Sequence, residues 1–164
     1  MRLESFHPHE PVALYIHIPF CTTKCDYCAF FSLAAPRPET VSAVLEATAR
    51  EGHETLSRLN RPLVRTVYIG GGSPSILSPA QIQRLGEAVM LASGQGNFEE
   101  WTVEANPETL TPQWLEAVAQ LPVTRVSVGV QSFSGTLVEA QRLPARFLQL
   151  RRHIVVARAL PLLL

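Results

Sequence analysis

Two kinds of segment alternate along this chain, and the alternation limits its fold more than any single residue does. Four short β-type runs, residues 14–18, 64–69, 102–104 with their flanks and 125–130, are separated by stretches of helical period. After Pro38, apolar or small residues recur at Val41, Val44, Leu45, Thr48, Leu56 and Leu59, the spacing of one helix face. Ser78-Pro79-Ala80-Gln81 reads as a capping box with proline at the first helical position, followed by Ile82, Leu85 and Val89 on one side. Thr111-Pro112-Gln113-Trp114 opens another helix in the same way, with Leu115, Val118 and Leu121 following. Strand, loop, capped helix and strand, repeated, predict an α/β fold of parallel strands joined by right-handed crossovers. A doubly wound sheet and part of a (β/α) barrel both satisfy the pattern. At 164 residues the chain suffices for one domain with a sizeable core.

Charge narrows the function classes. Fourteen basic and fourteen acidic side chains cancel, leaving no electrostatic footprint for nucleic acid or an anionic membrane. No stretch reaches the ~20 apolar residues that span a bilayer, and the apolar tail, 154–164, is interrupted by Arg158 and Pro161. The first ten residues lack the apolar segment of a signal peptide. A cytoplasmic location is expected.

All three cysteines, Cys21, Cys25 and Cys28, fall in one Cys-x3-Cys-x2-Cys run. Three thiolates are one fewer than a cubane iron–sulfur cluster normally takes, so one iron would be left for an outside ligand. A Cys3His zinc site that includes His17 is the alternative, although structural zinc favours paired Cys-x2-Cys knuckles. His17 sits in a strand-like run that aims it away from Ile16 and Ile18, which reads as packing or positioning. An odd cysteine count with close neighbours does not suit a disulfide framework. Clustered cysteines fit a reducing compartment.

The unusual polar and glycine residues sit where strands end. Cys21 follows the first run, Gly70-Gly71-Gly72-Ser73-Pro74 the second, Glu104 with Asn106-Pro107-Glu108 the third, and Gln131-Ser132-Phe133 the fourth. In parallel β/α folds those loops gather on one face, where sites are built. The glycine run is neither a dinucleotide fingerprint nor a phosphate loop; it is a backbone that lets a ligand approach, or a plain tight turn. Glu104 ends an apolar strand, where a carboxylate must be paired or wet. Gln131 offers a donor and an acceptor, or a cap, and Tyr15 could equally be a core aromatic. Arg50, Arg58, Arg61 and Arg65 read as solvated; His7, His9 and His53 receive no role.

Taken with Tyr27 before the third cysteine and the His-Ile-Pro-Phe-Cys lead-in, residues 15–28 resemble the signature of radical S-adenosylmethionine (SAM) proteins, in the group of the oxygen-independent coproporphyrinogen III oxidase (HemN) and the heme chaperone HemW. The resemblance implies a partial (β/α) barrel in which Cys21, Cys25 and Cys28 hold a [4Fe-4S] cluster. Its open iron binds SAM, which an electron cleaves to a 5′-deoxyadenosyl radical. It also implies SAM contacts from Tyr15, Gly71, Gly72, Ser73, Glu104 and Gln131. Heme or porphyrin and a reductant protein are the implied partners. The oxidases resemble Cys-x3-Cys-x2-Cys-x-Cys, whereas Phe30 stands at the fourth position here, which favours the HemW-like branch over oxidative decarboxylation.

The match covers about residues 14–133, after a 1–13 extension. Beyond it, Leu143 stands where the family's SAM-contacting arginine belongs, and 134–164 reads as a divergent tail. The expectation is therefore a barrel cut off after about four βα units, the N-terminal part of a longer truncated or frame-shifted reading.

Overall fold

The computed structural model describes residues 10–25 and 28–129. The strands are β1 (Val12–Ile18), β2 (Phe20–Cys21), β3 (Leu33–Ala34), β4 (Val64–Gly71), β5 (Glu100–Ala105) and β6 (Arg125–Val128). The helices are α1 (Pro38–Arg58), α2 (Pro79–Ser93) and α3 (Pro112–Ala119), with a 3-10 turn at Pro74–Ile76.

Proline opens all three helices, where its missing N–H is no loss. At α2 the capping box is complete: Ser78 Oγ accepts the Gln81 N–H at 3.3 Å, and Gln81 Oε1 accepts the Ser78 N–H at 2.9 Å. Thr111 caps α3 by accepting the Trp114 N–H at 3.2 Å. Arg37, before α1, caps with no side-chain bond, so the length of its apolar face must hold that helix.

Strands β1, β4, β5 and β6 form one parallel sheet in that order, and β2 pairs with β3 separately. This order decides between the two architectures that the sequence leaves open. A doubly wound sheet reverses direction at a switch point. Here every crossover advances one strand the same way, and right-handed crossovers then put all the helices on one face. The progression is that of part of a (β/α) barrel.

Strand alternation divides the sheet's two faces. Ile16, Ile18, Val67, Ile69, Trp101 and Val103 are buried in the main core together with Leu85, Val89, Trp114 and Val118 from the helices. The opposite parity carries Tyr15, His17, Tyr68, Thr102, Glu104, Arg125 and Ser127. Register aligns Tyr15 with Tyr68, Tyr68 with Thr102, and Thr102 with Arg125 in one row. These polar residues share one face, and Glu104 and Ser127 near the carboxyl ends reach the cleft described next.

Candidate cluster- and cofactor-binding site

A cleft of about 240 Å³ opens at the carboxyl ends of the sheet strands. The three cysteines line it, as do Gly71, Gly72, Glu104, Asn106, Glu108 and Ser127. The cysteine loop that follows β1 and the ends of β4, β5 and β6 therefore contribute to one wall.

Each contribution has a local cause. The Gly72 N–H donates to the Ile18 carbonyl at 2.8 Å, and the Ser73 N–H to the Phe20 carbonyl at 2.7 Å. These bonds carry the β1–β4 pairing past the strand ends and fix the start of the cysteine loop. Side chains are excluded here by the protein itself. A Cβ on Gly72 would lie 2.5 Å from the Phe20 carbonyl oxygen. Gly71 has φ +111, and its Cβ would fall 2.5 Å from the His17 ring. The glycines are required by this internal packing, and the three amide N–H groups of Gly71, Gly72 and Ser73 are all engaged within the chain.

Glu104 is paired rather than merely solvated. Tyr68 donates to Oε1 at 2.6 Å and the Gly71 N–H to Oε2 at 3.1 Å. The bond to Glu104, with burial and the carboxylate's charge adding to it, pushes the Tyr68 hydroxyl up to about 12. Tyr68 consequently remains a donor at any physiological pH.

His17 has a positioning role. Nε2 lies 3.0 Å from the Phe31 carbonyl, which can only accept, so Nε2 carries the proton and Nδ1 accepts the Tyr15 hydroxyl at 2.9 Å. The ring thereby ties β1 to the segment after Cys28. Both ring nitrogens are engaged within the chain and His17 does not line the cleft with the thiols, which speaks against a Cys3His site. Tyr15 itself is exposed, stacks on Tyr68 with ring centroids 6.1 Å apart, and does not line the cleft. Burial and then Glu104 raise its hydroxyl pKa.

Ser73 also stands back from the cleft. Its buried hydroxyl lies beside those of Ser75 and Thr109, and Ser75 Oγ accepts the Asn106 N–H at 2.8 Å. This cluster joins the glycine turn to the Asn106-Pro107-Glu108 turn. Gln131 lies outside the described residues.

The thiols are free and half-buried. The Cys28 N–H donates to the Cys25 carbonyl at 3.0 Å. Burial pushes the Cys21 thiol up. Two bonds brace the loop: Thr22 Oγ1 donates to Glu108 Oε2 at 2.9 Å, and Lys24 Nζ to the Phe30 carbonyl at 3.1 Å. Among the described residues, no three His, Cys, Asp or Glu side chains already stand as a metal-binding group. The donor set nevertheless suits a cubane cluster: three thiols on one short loop, facing a common cleft, with no fourth cysteine in the chain. Closing that loop around metal would accompany binding.

Tyr68 and Glu108 are the contributors that motif reading did not single out. The available signal for Tyr68 was parity, since it alternates with Val67 and Ile69. Glu108 had only its place in the Asn-Pro turn, where Asn106 Oδ1 accepts the Glu108 N–H at 2.9 Å.

Parallel β/α units whose strand ends bring three thiols and a paired carboxylate to one cleft define a class of iron–sulfur barrel proteins. The family model for the Radical SAM superfamily matches residues 15–154, and the chain belongs to that superfamily. Membership implies a [4Fe-4S] cluster and SAM. The chain is 36% identical over 130 residues to heme chaperone HemW of Lactococcus lactis, covering 79% of this chain and 33% of that one. HemW of Escherichia coli is 37% identical over 133 residues, covering 76% and 33%. The mitochondrial radical S-adenosyl methionine domain-containing protein 1 of Bos taurus is 35% identical over 127 residues, covering 77% and 28%. Coproporphyrinogen III oxidase (HemN) from E. coli, a radical SAM enzyme, shares the fold with a TM-score of 0.73 at 23% identity, over 93% of this chain and 36% of that one. The chain thus spans about a third of the length of the curated relatives it matches. No helix among the described residues is long and apolar enough to cross a membrane.

Proposed function

We propose that this chain is the cluster- and SAM-binding part of a HemW-like heme chaperone. The observation that carries the reading is the composition of one cleft: Cys21, Cys25 and Cys28 stand with Glu104, and Phe30 occupies the place of the oxidases' fourth cysteine. Bound together, a [4Fe-4S] cluster and SAM supply one-electron cleavage of a carbon–sulfur bond, given an external reductant. The protein's part is to hold and orient them. The three thiols hold the cluster. Glu104, fixed from two sides by Tyr68 and the Gly71 N–H, offers its remaining lone pairs to the hydroxyl or ammonium donors of SAM. Gly71 and Gly72 keep the wall low enough for the ligand to approach. Tyr15 and Ser73 serve through their neighbours, Tyr15 by setting the His17 ring and Ser73 by supporting the glycine turn; Gln131 would add a further SAM contact. Phe30, Phe31 and Leu33 are exposed apolar side chains on the cysteine loop and its continuation, a surface suited to the flat apolar face of heme.

Anaerobic reconstitution tests the reading. The expected product is a brown protein with iron and sulfide in the proportion of a [4Fe-4S] cluster, bleached by dithionite and perturbed by SAM. Cys25→Ser should lose the cluster. Heme titration should give a saturable Soret shift without turnover, whereas decarboxylation of coproporphyrinogen III would assign the chain to the oxidases instead. Zinc bound tightly in preference to iron would overturn the cluster altogether.

A further inference from the structure

The three sulfur ligands leave one polar atom in the cleft unexplained. Ser32 Oγ is buried, lines the same cleft as the cysteines and has no hydrogen-bond partner among the described residues. A buried hydroxyl without a partner is costly and calls for an explanation. Backbone pairing fixes its place. Phe20 is registered with Leu33 and Cys21 with Ala34. The Leu33 N–H donates to the Pro19 carbonyl at 2.7 Å, and the Ala35 N–H to the Cys21 carbonyl at 2.9 Å. Ser32 thus stands two residues before Ala34, the residue registered with Cys21, and lines the cleft with it, while His17, through the Phe31 carbonyl at 3.0 Å, holds the residue before it.

We infer that Ser32 is a positioning residue for the cluster: its hydroxyl donates a hydrogen bond to the Cys21 sulfur, or to the sulfide next to it, once the cluster is bound. The chemistry follows from charge. A thiolate or bridging sulfide accepts a hydrogen bond that a neutral thiol accepts only weakly, so the missing partner arrives with the metal. The bond strengthens as the cluster gains an electron, because the sulfurs then carry more negative charge. Ser32 therefore favours the reduced state and raises the reduction potential.

This inference rests on the cluster reading above, and the test separates the two. Iron and sulfide content of the reconstituted parent chain judges the cluster alone, and its absence would overturn both. With the cluster present, redox titration followed by electron paramagnetic resonance should find a more negative midpoint for Ser32→Ala at unchanged iron content. Ser32→Thr, which keeps the hydroxyl, should stay near the parent. An unshifted Ser32→Ala overturns the inference, as does an equal shift in Ser32→Thr, which would trace the effect to packing. Should Ser32→Ala fail to take up iron, the parent decides by resonance Raman in heavy water. Its iron–thiolate stretching bands should move on deuterium exchange, and insensitivity overturns the role.

Discussion

Tyr68 and Glu104 show how one strand face can set a site before any ligand arrives. The tyrosine proton is shared towards a carboxylate on the neighbouring strand, and its pKa rises from 10.0 to about 12. The folded state holds that proton more tightly than the unfolded chain does. The bond's contribution to stability is accordingly complete below pH 10 and fades as the pH rises towards 12. In a tyrosinate absorbance titration the latest-ionising tyrosine should vanish in Tyr68→Phe, and the variant's stability should fall less steeply across that interval. Gly72 makes a second prediction at this scale. A methyl there meets a backbone carbonyl that cannot move without opening the β1–β4 extension, so Gly72→Ala should cost about 1–3 kcal/mol in denaturant unfolding. It should also impair iron uptake. Glu104 could be picked out of the sequence because a carboxylate at the end of an apolar strand needs a reason. Its partners could not, since a tyrosine thirty-six positions earlier is brought opposite it only by strand register.

At the scale of elements, capping chemistry made the structure legible. The box at Ser78 and the cap at Thr111 stand where the residues place them, because a cap is a local device that needs no tertiary partner. Ser78→Ala should lower stability by about 1 kcal/mol, measured by thermal or denaturant unfolding with α2 otherwise intact. The paired strands β2 and β3 carried no such signal. Two residues are too few to show a period, and their pairing depends on a loop returning past Cys28. Yet this pair sets the backbone on which Ser32 and Cys21 come to line one cleft. The 3-10 turn at Pro74–Ile76 was equally silent, although it carries Ser75 into the hydroxyl cluster that joins two loops.

For the whole molecule, the choice between a doubly wound sheet and a barrel segment turned on strand order. Local patterns fix which segments are strands, but not whether successive crossovers keep their direction. The sheet order settles it, and with it the separation of an apolar face under the helices from a polar face that runs to the thiols. The convergence of strand ends on one cleft was readable, because it follows from parallel topology alone. Glu104 stands on β5 and grips the backbone of β4 through the Gly71 N–H, so it is at once a candidate ligand and a stitch in the sheet. A guest that recruits this carboxylate must share it with the framework, and occupancy will register as altered protection of a single backbone amide. Hydrogen exchange at Gly71, followed with and without SAM on the iron-loaded chain, should therefore report the contents of the cleft from inside the wall that encloses it.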